Sequence, residues 1–257
     1  MISPLAVISP KARIGKNVVI EPFATIKDDV VIGDNTYIHS NAIVYPDTTI
    51  GNNCQIFPGA LIGIVSQDLK YKGEKTTTII GDHTIIREYV TIHKGTADRK
   101  TTKVGDHCLI MAYAHIAHDC IIGNNVIIAN SVGLSGHITI EDFVIIEGFS
   151  GLQQFLTIGA HSFIAAFSVL RKNVPPFIRV ARNPLQYIGV NSIGLSRRGF
   201  TKEDIHHIED IYRLIFVRGL NMTNALELID QEIPDSLFKN QIVEFIKNSK
   251  DGIVKGI

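Results

Sequence analysis

Every sixth residue of this chain is aliphatic over most of its length, and nothing else in the sequence limits the possible folds as severely. Stepping by six from Ile2, the slots are isoleucine or valine through Ile62, resume from Ile80 to Ile92, and run unbroken from Val104 to Leu170. Of 29 slots 26 are aliphatic, a regularity that neither a helix of period 3.6 nor a simple strand of period 2 would select. Four residues after each beat there is usually a small or β-branched residue, as at Ala6, Ala12, Val18 and Ala24. Pairs such as Asn52-Asn53 and Asn124-Asn125 recur near the corners, where chain reversal needs residues that tolerate left-handed backbone. The pattern predicts a short strand and a turn every six residues. Three legs then close a triangular coil of 18 residues, each strand pairing with the same leg one coil away at about 4.8 Å, which is a parallel β-helix.

Composition removes several classes of function. The 25 basic and 25 acidic residues of the 257 cancel, so no whole-chain field favours nucleic acid. No apolar run approaches the roughly 20 residues of a membrane span, and Met1–Ala6 lacks the layout of a secretion signal, which together favour the cytoplasm. Cys54, Cys108 and Cys120 make an odd count without a C-x-x-C pair and all fall in the small-residue slot, so each reads as a small buried hydrophobe.

The beat is interrupted twice without losing its phase. Asp68 and Glu74 replace aliphatic slots in one stretch and Asp98 in another, which predicts loops thrown out of the rod at about 64–79 and 97–103. Pro175-Pro176 deny backbone donors to a further coil, placing the rod at 1–176. A linker and small C-terminal α-helical domain are expected over 177–257. There Thr201 with Asp204 resembles a helix N-cap, Gly219 stops that run, and further helices begin near Thr223 and Ser236.

Candidate chemistry gathers between Ile110 and Thr139. His118 plus 18 gives Gly136, and plus 18 again gives Gln154, so the three are expected to stack in one column, flanked by His137 and Gln153. An imidazole one coil from a bare glycine amide suits a general base beside an oxyanion donor, with Asp119 steadying the ring. On spacing alone two other readings stand beside this one. His115, His118 and His137 are surface side chains of a polar rod, or they ligate zinc, as in trimeric β-helix carbonic anhydrases of the γ class.

The hexapeptide repeat resembles that of the hexapeptide-repeat acyltransferases, whose coils wind left-handed and assemble as homotrimers. The runs H-I-A-H-D-C from His115, Q-D-L-K-Y from Gln67, V-T-I-H-K-G-T from Val90 and G-V-N-S-I-G-L-S-R-R-G-F from Gly189 narrow the resemblance to the UDP-N-acetylglucosamine O-acyltransferase family, across essentially the whole chain. The resemblance implies transfer of an (R)-3-hydroxyacyl group from acyl carrier protein to the 3-hydroxyl of UDP-N-acetylglucosamine, the first step of lipid A synthesis, without metal or other cofactor. It implies His118 as base, Asp119 as its orienting acid and the Gly136 N–H as oxyanion donor. It implies that Gln67, Asp68, Lys70, His115, His137 and Gln154 hold sugar, diphosphate or acyl groups between neighbouring subunits. Asn191, Arg197 and Arg198 would reach the nucleotide, and Ala166 falls where acyl length is set by side-chain bulk. The chain departs from the family pattern at Gln153, where a histidine is common, and at Ile193, where an acid is common.

From Gly148 through Lys202 there is no Asp or Glu, while Arg171, Lys172, Arg179, Arg182, Arg197, Arg198 and Lys202 are basic. Such a surface suits an acidic carrier protein and a nucleotide diphosphate. The competing functions are an N-acyltransferase of the same pathway, which resembles this rod with an added N-terminal nucleotide-binding domain, the zinc enzyme, and a non-catalytic structural rod.

Overall fold

A computed structural model describes residues 1–256. Most strands are two residues long, and the second residue of each is a beat residue pointing inward: Ile26, Ile56, Ile92, Ile116, Ile128 and Ile146 are all essentially inaccessible to solvent. Stacked legs form three sheets of nine, eight and ten strands, parallel except for one edge strand, the walls of a left-handed β-helical prism. Val7, Thr25, Ile43 and Leu61 pair in sequence at the expected interval of eighteen. A strand of two residues has almost no stability of its own, so the wall holds because each coil closes the apolar floor of the next.

In each wall two successive pairings break the interval. Leu61 pairs with Thr91, thirty residues on, and Thr91 with His115, twenty-four on. The extra residues leave the wall as two loops, the first shorter than expected and the second displaced three residues toward the amino end. Thr77–Ile80 and Thr101–Val104 are four-residue strands paired with each other, because their β-branched residues suit a ladder although half of them are polar. The first loop therefore covers 65–76 and the second 94–100.

Corners hold residues at positive φ, among them Asn17, Asp29, Asn35, Asp47, Asn53 and Asp119. Aromatic corners were not expected, yet Tyr89, Tyr113, Phe149 and Phe167 occupy the same conformation, which is costly for bulky side chains. Stacking up one edge offsets part of that cost: Tyr89 on Tyr113 at 5.3 Å and Phe149 on Phe167 at 5.2 Å. The three cysteines are buried inside the prism. Burial pushes the Cys54 and Cys108 thiols up to about 11 and Cys120 to about 12.

Beyond the two prolines one wall continues. Ile178–Ala181 pairs parallel to Phe163–Ile164, and Gln186–Val190 closes the edge antiparallel. The prolines occupy a corner between strands, where no ladder donor is required. Four helices follow: α1 (Ser192–Arg197), α2 (Lys202–Phe216), α3 (Met222–Glu232) and α4 (Leu237–Asn248). Thr201 and Asp204 exchange hydrogen bonds as a complete capping box, and Asn221 and Ser236 cap α3 and α4. Tyr212 of α2 is fully enclosed and donates its hydroxyl to the Pro176 carbonyl at 2.6 Å, seating the helices on the rod.

Candidate active site

His115, Gly133 and Gly151 are partners in one parallel ladder, so the residues three further on, His118, Gly136 and Gln154, occupy one corner column. The corner is tied by His137 N–H donating to the His118 carbonyl at 3.1 Å and Phe155 N–H to the Gly136 carbonyl at 3.2 Å. A Cβ added to Gly136 would lie 2.5 Å from His118 Cε1 and 2.6 Å from Nε2, so the imidazole stands directly against the bare Cα. Among the described residues the Gly136 N–H donates to nothing.

The ring is oriented from behind. Asp119 is fully buried at φ 59°, and its Oδ2 lies 2.9 Å from His118 Nδ1, which leaves Nε2 free to face outward. The second loop closes over this carboxylate. Thr96 donates its N–H to Oδ1 at 3.0 Å and its hydroxyl to Oδ2 at 2.6 Å, and Arg99 N–H reaches Oδ1 at 3.2 Å. The Arg99 guanidinium donates to the Asp119 carbonyl and to Thr139 Oγ1, while Asp119 N–H donates to the Thr102 hydroxyl. Burial pushes the Asp119 carboxyl up, but the hydrogen bonds from Thr96 and His118 outweigh it and hold the group below its ordinary range.

Other imidazoles surround this pair. His137 is stacked on Phe155 at 4.5 Å and edge-on to His118 at 5.0 Å. Burial lowers its proton affinity, against the opposing pull of Asp119. His115 Nδ1 lies 2.8 Å from the Thr91 hydroxyl, and burial lowers its pKa too. His93, edge-on to His115 at 4.7 Å, is driven down to about 4 by burial and by the two neighbouring imidazoles.

A cleft of about 360 Å³ opens over His118. The first loop contributes Gln67, Asp68 and Lys70 to it, and the rod contributes His93, His115 and Gln154. Asp68 Oδ2 is 3.8 Å from His118 Nε2. A trough of about 390 Å³ shares His115 and runs past Gly133, Gly151 and Gln153 to Val169 and Arg171. An added Cβ at Gly133 or Gly151 would meet nothing within 4 Å, so it is the missing side chains that hollow the wall.

Four of the expected residues lie elsewhere. Asn191, Arg197 and Arg198 gather at the two ends of α1, where Asn191 is buried and donates its amide to the His161 carbonyl at 2.9 Å. The Arg198 guanidinium stands 5.4 Å over the Phe143 ring, and burial lowers its proton affinity. Ala166 is exposed and lines neither cleft nor trough; its N–H donates to Glu147 at 3.3 Å. Sequence reasoning missed Thr96, Arg99, Thr102 and His93. The run from Val90 to Thr96 holds His93 and Thr96 but says nothing of which way those side chains turn, and no sequence signal singled out Arg99 or Thr102.

His118, Asp119 and His137 each offer a ligand atom within 4.8 Å of the others, so the donor set for a metal is present. The carboxylate is nonetheless saturated: protein N–H and O–H groups already donate to both of its oxygens. Such a group orients a protonated Nδ1 and leaves Nε2 as a base.

Residues 173–254 match a family model described as UDP N-acetylglucosamine O-acyltransferase, domain 2. Residues 29–64 and 101–136 match the bacterial transferase hexapeptide model of six repeats. An acyl-(acyl-carrier-protein)--UDP-N-acetylglucosamine O-acyltransferase of Halorhodospira halophila is 42% identical over 99% of this chain and 99% of its own length. The enzyme of that name from Aliivibrio fischeri is 42% identical over 76% of this chain and 75% of its own. Among solved structures, a UDP-N-acetylglucosamine acyltransferase from Bacteroides fragilis is similar with a TM-score of 0.98 and 47% identity, covering 99% of this chain and all of that one. One from Francisella novicida has a TM-score of 0.96 and 39% identity, over 99% and 94% of the two chains.

Proposed function

Since the chain belongs to the UDP-N-acetylglucosamine O-acyltransferase family, the acyltransferases that open lipid A synthesis, we propose that His118 is the general base of the transfer and the Gly136 N–H its oxyanion donor. In this reading the 3-hydroxyl of UDP-N-acetylglucosamine enters the cleft and gives its proton to His118 Nε2 as its oxygen bonds to the thioester carbon of an (R)-3-hydroxyacyl group on acyl carrier protein. The carbonyl oxygen gathers negative charge against the free Gly136 amide. Collapse breaks the carbon–sulfur bond, and the imidazolium returns the proton to the departing thiolate. Asp119, held ionised by Thr96, stabilises the imidazolium between those steps. No step asks for a metal or other cofactor.

Gln67, Asp68, Lys70, His115 and Gln154 line the cleft and would hold the sugar and the acyl head, with the buried His137 behind them against His118, and the apolar trough past Gly133 and Gly151 suits the acyl chain. Asn191, Arg197 and Arg198 lie outside the cleft, and Ala166 is exposed. The assignments of these four to nucleotide and to acyl length therefore require a neighbouring subunit, in keeping with a homotrimer. Arginine suits such a diphosphate contact through its paired donors.

The observation that carries the proposal is the imidazole of His118 lying against a glycine whose N–H is free. His118→Ala should reduce turnover by at least about a hundredfold while leaving the thermal midpoint and oligomeric state unchanged. Turnover close to that of the wild type would remove His118 as the base. Stoichiometric zinc in the purified protein, with activity lost to chelators, would restore the metal reading.

A further inference from the structure

The three slots where the six-residue beat fails hold Asp68, Glu74 and Asp98; two of these carboxylates lie beside the imidazole pair, and the third ties together the loops that carry them. Asp68 faces His118 Nε2 at 3.8 Å, and Asp98 Oδ2 lies 3.1 Å from His137 Nδ1. Glu74 buckles the two loops together, accepting from Ala97 N–H of the second loop at 2.9 Å and from Lys72 N–H of the first at 2.8 Å. That buckle fixes the segment from which Thr96 and Arg99 reach Asp119 and Asp98 reaches His137. The proposed reaction places Asp68 beside the substrate, and Glu74 holds the loops together, but Asp98 is left without a role.

We propose that Asp98 is a positioning residue of the acyl transfer: it accepts the Nδ1 proton of His137, so that this ring does not compete with His118 for the single oxygen Asp119 Oδ2. The proposal rests on His118 being the base. A buried His137 kept neutral carries one ring proton, and its place decides which carboxylate the ring engages. On Nδ1 it meets Asp98. On Nε2 it points to Asp119 Oδ2, 3.9 Å away, which already accepts from His118 Nδ1 at 2.9 Å and Thr96 Oγ1 at 2.6 Å. The charged or titratable groups around His137 are Asp119, His118, Asp98 and Arg99, with Phe155 stacked on the ring face, and of these Asp98 is the ion-pair neighbour of Nδ1. Nδ1 is buried and makes no aligned hydrogen bond, whereas the Asp98 side chain is 67% exposed, so a small turn of that carboxylate completes the bond. Without Asp98 the proton shifts to Nε2, draws on Oδ2 and loosens the hold of Asp119 on the base.

The test is kcat and KM in wild type, Asp98→Ala and Asp98→Asn, beside His118→Ala. Asparagine keeps an acceptor oxygen for Nδ1 without the charge. Asp98→Ala should lower kcat about fivefold and leave KM for the sugar nucleotide unchanged. Asp98→Asn should restore the wild-type kcat. A wild-type kcat in Asp98→Ala, or equal impairment in the alanine and asparagine variants, overturns the proposal if His118→Ala is inactive. An active His118→Ala instead overturns the base assignment, so the two failures are distinguishable.

Discussion

At the scale of single residues, the glycine at position 136 decides whether the His118 ring and a bare backbone N–H, the proposed base and oxyanion donor, share one crevice. Any side chain there collides with the imidazole through the 2.5 Å approach of a Cβ to Cε1. Gly136→Ala should therefore cost at least about a hundredfold in kcat with little change in thermal midpoint, because the ring, not the rod, has to move. Two enclosed imidazoles give a second expectation. Burial drives His93 and His161 down to about 4, whereas an unfolded histidine titrates near about 6.5. Between those values the unfolded chain binds more protons, so stability falls as pH drops from about 6.5 toward 4. Urea midpoints at pH 7 and pH 5 should show the fall, and His161→Gln should flatten it. The column of His118, Gly136 and Gln154 was legible in the sequence because a period of eighteen is a vertical neighbour. The grip on Asp119 was not, since Thr96 and Arg99 arrive from a loop whose path no periodicity describes.

At the scale of elements, stability rests on inward beat residues whose strands are too short to stand alone. Ile128 is fully enclosed, and Ile128→Ala should destabilise the fold by about 2–5 kcal/mol, read as a lower urea midpoint at unchanged m-value. The aliphatic beat revealed nearly every strand, and the caps at Thr201 and Ser236 revealed α2 and α4. What escaped was whatever lacks that signal. Thr77–Ile80 and Thr101–Val104 hide behind polar side chains, and α1 is a six-residue helix with a glycine inside it. The aromatic corners escaped because their conformation is one that sequence rules reserve for asparagine, aspartate and glycine.

For the molecule as a whole, no helix among the described residues is long and apolar enough to cross a membrane. Charge instead gathers at one end of the prism. Arg171 lines the far end of the trough and also a neighbouring pocket with Lys172 and Lys255. Neutralising Arg171, Lys172 and Arg179 together should raise KM for the carrier-bound donor about tenfold, and that for UDP-N-acetylglucosamine far less, with the difference fading at high salt. Equal effects on both substrates would remove the carrier protein from this face. The two chain ends also lie in very different neighbourhoods. The Met1 ammonium is anchored to the Val18 carbonyl in the first coil, while the tail returns beside the last, with Val254 N–H on the Asn173 carbonyl and Lys172 on the Asp251 carbonyl. Nine strands in one wall separate them by about 38 Å. A bulky fusion at the amino end would hang clear of the basic rim, whereas cargo at the carboxyl end would crowd the doorstep that Arg171 and Lys172 form.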